Sequence, residues 1–399
     1  MIRTYEYRLY PNKTTINILN YQLELCRQLY NAALTERKEA YRLSHPPLNY
    51  YQQQNELPAL KSENPEFKNV HSQPLCNVLK RLDNVFNNYY TRRKKGGRKK
   101  AGFPRYKSYG QYRSLTYTQS GFKIEGNKLV LSKIGSIKII MSRELIGTIK
   151  TCTIKRDKVG DWFAYFTVEL PDVIPKSLEQ IKEQDIIGVD LGINKLAVLS
   201  NGVEIENPKL MKKTEESIKI AQRELSKKKK GSKNRLNAKQ RMAKRQRKLA
   251  RERKDNLQKA ANQIVKSGDI IVFEKLNVQG MTQNHNLAKG IYDASWSKLG
   301  NICTYKAESA GKYVEFVDPK GTSQLCSRCG TVVKKDLSVR IHSCNNCGLV
   351  MNRDLNAALN IREKYIRHVW NSVKKPVETP TSTHLNEHVG TMKQVGTLN

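Results

Sequence analysis

No apolar run in this chain approaches the roughly 18 residues that a membrane span requires. The N-terminus, MIRTYEYRLY, is charged and aromatic, which a signal peptide is not. Acids are scarce: 36 Asp plus Glu stand against 72 Lys plus Arg, a formal charge of +36 and a pI near 9.9. A chain so one-sided repels itself unless a polyanion neutralises it, so nucleic acid is the expected partner and a membrane is not. A basic protein of no special partner, such as a ribosome-associated factor, still implies RNA. Cysteine is sparse too. Cys26, Cys76, Cys152 and Cys303 are scattered, which speaks against a disulfide framework and for a reducing, cytoplasmic location.

What is present divides into regions, and 399 residues suffice for two or three domains. Residues 2–10 alternate like a strand. Apolar positions then recur at helical spacing over 14–41 and again over about 73–93, with the tyrosine-bearing loop PPLNYYQQQ between them. The basic stretch RRKKGGRKKAGFPRYKS follows and is not read as a core element. From about 114 to 169, short period-two runs separated by turn residues suggest a small barrel that includes the N-terminal strand. The helices of 11–109 would then be an insertion, and 171–184 a linker. DIIGVD and DIIVFE read as buried strands, and MTQNHNLAKGIYDASW as a polar loop. Between them, residues 223–254 carry sixteen Lys or Arg against Glu224 and Glu252 on a helical hairpin broken near Gly231. A solvated helix face is the ordinary reading of a charge run, but thirty residues of one sign favour a phosphate-facing surface.

The other four cysteines form C-x2-C, fourteen residues, C-x2-C: Cys326, Cys329, Cys344 and Cys347. Two such knuckles offer the tetrahedron of thiolates that a structural Zn²⁺ accepts, and four closed ligands leave no position for substrate. A redox dithiol pair is the rival reading, and His342 is a further candidate ligand.

Three lone acids stand at the ends of apolar runs or at a helix mouth: Asp190 in GVDLGINKLAV, Glu274 in IIVFEKLNV and Asp354 in NRDLNAALNI. Each alone has a dull explanation, as a turn former, a strand-end surface residue or a helix N-terminal acid. Together, in a protein with a polyanionic partner, they suit a pair of Mg²⁺ ions about 3.5–4 Å apart for phosphodiester hydrolysis. Asp185, Asp293 and Glu315 are weaker candidates.

GVDLGINKLAV, IIVFEKLNV, the CSRCG and CNNCG pair and NRDLNAALNI, in that order, resemble the split RuvC-like core of TnpB proteins. GFPRYKS and LAKGIYDASW add to the resemblance, which spans residues 1 to about 367. TnpB proteins are transposon-encoded RNA-guided DNA endonucleases, related to type V CRISPR effectors. The resemblance implies an α+β multidomain protein. Its expected parts are a wedge-type β-barrel (1–10 and 110–180) with an inserted helical recognition domain (11–109), and an RNase H-like (RuvC) nuclease domain (181–325 and 351–370). A four-cysteine zinc ribbon (326–350) is inserted in the latter, and a disordered tail covers 371–399. It also implies catalysis by Asp190, Glu274 and Asp354 with two Mg²⁺, one structural Zn²⁺ on the four cysteines, and a double-stranded DNA target. The guide RNA would come from the transposon end, a short transposon-adjacent motif would license unwinding, and one protein would act with one RNA.

Relatives read the motif from the insertion and the first barrel strands, which here suggests Tyr50, Tyr51, Gln73, Asn77, Tyr117, Thr118 and Gln119. Ordinary packing is the alternative for the tyrosines. Backbone contacts are expected from Arg98, Lys99, Lys100, Arg105 and Lys107, and from Lys227, Lys228, Lys229, Lys230, Arg245 and Arg247. Two other functions compete. A nuclease-inactive RNA-guided repressor would be marked by an incomplete triad, and a DNA strand-transfer transposase by a Tyr or Ser recombinase constellation.

Overall fold

The computed structural model of the protein describes residues 1–94, 102–336 and 339–374. Arg98, Lys99, Lys100 and all of the expected tail beyond residue 374 lie outside the described residues. The chain divides into two compact units: Met1–Val173 with Met211–Glu252, and Ile174–Leu210 with the chain from Arg253 on.

In the first unit, β1 (Ile2–Tyr10) turns Tyr5, Tyr7 and Leu9 inward and leaves Ile2, Thr4 and Tyr10 exposed, the period-two pattern of a strand with one buried face. Pro11 ends it. Asn12 then caps α1 (Lys13–Arg42), its side chain accepting from the Thr15 N–H at 2.8 Å. α2 (Tyr50–Asn55), α3 (Leu57–Glu63) and α4 (Ser72–Lys94) follow. The tyrosine-bearing stretch expected as a loop is therefore partly helical, because Asn49 and Gln52 close a capping box that starts α2.

Six further strands join β1 in one antiparallel sheet: β2 (Ser114–Tyr117), β3 (Phe122–Glu125), β4 (Lys128–Leu131), β5 (Gly135–Ile140), β6 (Thr148–Arg156) and β7 (Trp162–Glu169). Their order is β2-β6-β7-β1-β5-β4-β3. The two end strands are consecutive in the chain and joined by residues 118–121, so the sheet curls into a near-barrel around Tyr7, Tyr117 and Phe166. GFPRYKS, contrary to expectation, is docked on the core. Pro104 is buried, and the Phe103 ring sits 5.5 Å from Phe86 and 5.2 Å from Tyr89. Aromatic burial outweighs the basic company that hid it in the sequence.

The basic hairpin is α5 (Leu210–Ser226) and α6 (Lys233–Lys266), turning through Gly231 at φ +86°.

The second unit is built on a mixed sheet of order β10-β9-β8-β11-β12: β8 (Ile186–Leu191), β9 (Lys195–Leu199), β10 (Glu204–Glu206), β11 (Ile270–Glu274) and β12 (Tyr313–Val317). β8, β11 and β12 run parallel, while β9 pairs antiparallel with β8 and β10 antiparallel with β9. Ile186–Val189 and Ile270–Phe273 are buried, as strands covered on both faces must be. On one face, Ile187, Val189, Ile271 and Phe273 pack with Ile264 of α6 and with Leu299 and Ile302 of a later helix. On the other, Ile186, Ile270 and Val272 pack with Ile361 and Tyr365. α7 (Val278–Met281), α8 (His285–Ala294) and α9 (Trp296–Ser309) follow β11, and α8 takes up most of the stretch expected as a polar loop. The helical spacing of Ile291 and Ala294, in the core cluster, and of Leu287, packed against it, was masked by polar neighbours. The strands β13 (Ile341–Ser343) and β14 (Val350–Asn352) pair antiparallel, followed by α10 (Arg353–Tyr365) and α11 (Asn371–Lys374). The first four residues of the expected disordered tail are thus helical.

Candidate active site and metal centre

Register places the first two carboxylates. β8 and β11 pair in parallel with Ile186 opposite Ile270 and Val189 opposite Phe273, so Asp190 and Glu274 are neighbours at the carboxyl ends of adjacent strands. That edge of an open sheet is where ligands are bound. Both residues continue the face of Ile186, Val272 and Ile270, the side covered by α10.

The third is brought in by a glycine. A Cβ on Gly188 would lie 2.1 Å from the Ala358 carbonyl oxygen and 2.6 Å from the Arg362 nitrogen, so only glycine lets α10 lie directly on β8. Arg362 Nε donates to the Ile186 oxygen at 3.0 Å, which pins the far end. Helix positions 362, 358 and 354 are spaced by four and fall on one face, as strand positions 186, 188 and 190 do. Asp354 therefore comes over Asp190. It sits inside the first turn of α10, not before the helix, where Asn352 accepts from the Asp354 N–H at 2.8 Å and the Leu355 N–H at 3.3 Å.

The electrostatics agree with this proximity. Burial, then the charge of Glu274, then that of Asp354 push the Asp190 carboxyl up to about 8. Glu274 is also raised by burial, against the pull of the Thr322 hydroxyl, which donates to its Oε1, and of Lys364. Arg340 lies 3.8 Å from Asp354 Oδ1. The three acids share one face and one sheet end, yet they do not close on a single point. Among the described residues, only the four thiols form a set of three or more His, Cys, Asp or Glu ligand atoms all within 4.8 Å of one another.

Those thiols are Cys326, Cys329, Cys344 and Cys347, with Sγ–Sγ separations of 3.6 Å for Cys326–Cys347 and for Cys329–Cys344. A tetrahedron with metal–sulfur bonds of about 2.3 Å has edges of about 3.8 Å, so the cage fits a metal such as zinc. Each knuckle turns through a left-handed glycine, Gly330 at φ +74° and Gly348 at φ +71°. The backbone closes the same way in both, Gly330 N–H to Cys326 O and Gly348 N–H to Cys344 O, each 2.9 Å. His342 is buried on β13 with its Nδ1 against Lys335, and it is not part of the thiol cage.

Sequence reading missed the residues that tie the cage to the acids. Asn356 of α10 accepts from the Ser327 N–H at 3.0 Å and donates to the Leu325 oxygen at 2.8 Å. One turn on, Asn360 donates to the Thr322 and Leu325 oxygens at 2.8 and 2.7 Å. Lys364 donates to the Asp318 oxygen at 2.8 Å. The segment 318–327 is thus stapled along α10, from the first knuckle to the threonine that holds Glu274. The NAALNIREK spacing (356, 360, 364) was the available signal. Of the weaker acids, Asp293 is paired with Arg253 at 3.0 Å.

The expected nucleic-acid residues divide. Tyr117 is fully buried in the near-barrel, so packing is its role and it presents no edge to a base. Gln73 is spent on the turn after β2, its Oε1 accepting from the N–H groups of Thr118, Gln119 and Ser120 at 2.8–3.2 Å. Thr118 and Gln119 side chains are exposed, as is Tyr51, whereas Tyr50 is half-buried beneath Lys80. Asn77 Oδ1 is buried with no hydrogen-bond partner. Lys107 is half-buried over the Tyr30 ring, and Arg105 is exposed. Lys227, Lys228, Lys229 and Lys230 occupy the exposed turn between α5 and α6. Arg245 bonds across the hairpin to the Ser217 oxygen at 2.5 Å. Arg247 is ion-paired with Asp157 at 2.7 Å and with Asp161.

Comparison with known proteins agrees along the chain. Family models described as "Helix-turn-helix domain", "Probable transposase" and "Cas12f1-like, TNB domain" match residues 1–45, 165–285 and 296–361. The first name does not describe this chain, in which α1 follows β1 as one unbroken helix. A Streptomyces pristinaespiralis protein named "Putative RNA-guided DNA endonuclease" is 34% identical over 85% of this chain and 83% of its own length. "Putative RNA-guided DNA endonuclease InsQ" of Escherichia coli (strain K12) is 29% identical over 78% and 79%. A solved Cas12f1–sgRNA–target DNA complex superposes with TM-score 0.57 at 13% identity, covering 91% of this chain and 98% of that one, a likeness of fold alone. No described helix is long and apolar enough to cross a membrane.

Proposed function

Because the chain belongs to the TnpB family of RNA-guided DNA endonucleases, we propose that it cuts double-stranded DNA matched to a bound guide RNA. Asp190, Glu274 and Asp354 are its catalytic acids, set in an RNase H-like, RuvC-type sheet with an inserted four-cysteine zinc ribbon. The observation that carries the reading is the contact of α10 on Gly188, which brings Asp354 over Asp190 beside Glu274. In this reading the guide derives from the transposon end, and a short transposon-adjacent motif licenses unwinding.

The donor set suits Mg²⁺. Three hard carboxylate oxygens stand on rigid elements, and the Asp190 carboxyl holds its proton up to about 8 in the absence of a compensating cation. The spread of the acids beyond 4.8 Å suits two ions better than one. When bound, such a pair supplies an activated water and neutralises the leaving oxygen. The chain's own residues prepare the site. The Thr322 hydroxyl fixes which way Glu274 faces, Lys364 holds the 318–320 backbone and tempers the Glu274 charge, and the start of α10 offers Asp354 from a capped turn. The four cysteines would hold one structural Zn²⁺, anchoring the segment that ends at Asn356 and Asn360. The basic hairpin turn and Arg105 supply charge for the RNA or heteroduplex backbone.

The test is expression with the downstream flanking DNA, sequencing of the co-purifying RNA, and incubation with a matched target beside a randomised flank, with and without Mg²⁺. Guide-dependent cleavage that needs Mg²⁺ supports the reading. A protein that carries RNA but leaves every matched target intact contradicts it.

A further inference from the structure

The strand ends that carry the acids have a second face, and it is hollow. A cavity of about 210 Å³ opens there, rimmed by Glu274 and walled by Leu191, Phe273, Phe316 and Trp296. Leu191 directly follows Asp190 in β8, so cavity and carboxylates are separated only by the thickness of the sheet edge. Phe316, on the edge strand β12, is a large aromatic left 49% exposed. One side of its ring stacks on Phe273, with centroids 5.9 Å apart and planes at 27°. The Phe316 side chain also lines the hollow. Opposite lies α9, where a Cβ on Gly300 would already be in ordinary contact with the edge of the Phe316 ring, 3.9 Å from its Cε1 and Cζ, so the hollow narrows there to about one methyl. One residue further, the exposed Asn301 offers an amide with both donor and acceptor.

A half-exposed aromatic ring on a hollow of about 210 Å³, with one amide at its rim, suits a flat heterocycle with a polar edge. We propose that this cavity is a base pocket. It takes one unstacked nucleobase of the single-stranded DNA whose neighbouring phosphate lies at Asp190, Glu274 and Asp354, stacking it on Phe316 with its edge toward Asn301. The pocket thereby sets which phosphate is presented to the acids. This rests on the nuclease reading above, and its consequence is a cut position that depends on the base beside it.

The test is an abasic scan combined with a mutant cycle, on the guide-bound protein and matched target. A single abasic nucleotide is walked through the positions flanking the cut, for wild type, Phe316→Ala and Gly300→Leu, which fills the hollow from the helix side. Removing one stacked base costs roughly 5- to 150-fold by alanine substitution in single-strand binders. Wild type is expected to lose that much at one abasic position. Both variants should lose a similar factor on intact DNA and then be indifferent to the same abasic position. Equal sensitivity of wild type to every position, or variant and abasic losses that multiply in full, overturns the pocket. An active Asp190→Ala complex overturns the nuclease centre instead, so the two failures are told apart. If Phe316→Ala fails to fold, Gly300→Leu carries the same cycle.

Discussion

Gly188→Ala is the smallest change that separates the helix from the strand it completes. The added methyl would meet the Ala358 oxygen at 2.1 Å and the Arg362 nitrogen at 2.6 Å, both backbone atoms that cannot rotate away. Ordinary contact begins at 3.4 Å, so α10 must retreat by about 1.3 Å in a close-packed interior. Overpacking of this kind costs about 1–3 kcal/mol. For a unit of this size that is a fall in Tm of roughly 2–12 °C. The functional cost should be larger in proportion. Asp354 rides on the same helix one turn away, and a misplacement of about 1 Å at a reacting centre costs about 100-fold. Thermal unfolding and initial cleavage rates on a matched target, measured side by side, check both numbers. A variant that melts with wild type and cuts within twofold of it refutes the idea that Gly188 seats the third acid.

Further outcomes follow from the same contacts. Thr322→Val removes the hydroxyl that holds Glu274, and loss of such an outer partner should raise the Mg²⁺ needed for half-maximal cleavage by about 10- to 100-fold, with Thr322→Ser restoring most of it. Cys326→Ser should abolish stoichiometric zinc measured by mass spectrometry and, through Ser327 and Asn356, depress cleavage; full zinc content in that variant would show the cage is misassigned. Without Mg²⁺, the Asp190 carboxyl titrates near 8 in the folded chain and near 3.8 in the unfolded one. The folded state then binds more protons between those values, so stability from this group is complete below about pH 4 and is lost as pH rises toward 8. Asp190→Asn should flatten that part of the Tm–pH curve, and an unchanged slope would contradict the burial of this acid among like charges.

Much of this architecture was legible because its signals are local. Asn12 after Pro11, the alternating Tyr5, Tyr7 and Leu9, and the unbroken apolar runs before Asp190 and Glu274 each name an element by period and boundary. The paired cysteine spacings name a metal cage for the same reason. Helices α2 and α7 were missed because few apolar residues mark them and caps such as Asn49 and Asn277 are read only in three dimensions, and α8 because polar neighbours masked its apolar spacing. The fate of Tyr117, Gln73 and Arg247 was hidden for a different reason: each is spent on a partner distant in sequence. Gly188 was visible only as a small residue in an apolar run, and its meaning depends on Ala358, 170 positions away. Long-range stapling, such as Thr322 to Glu274 and Asn360 to Leu325, has no local signature at all.

The most direct trial is a set of three guide-bound proteins carrying Asp190→Ala, Glu274→Ala and Asp354→Ala, assayed for cleavage of the same matched DNA after checking that each retains its RNA. If the acids act as one centre, every variant binds guide and target normally and loses at least about a thousandfold in rate, with losses that do not multiply when variants are combined. Cleavage within tenfold of wild type by any one of the three, with RNA retained, contradicts the account.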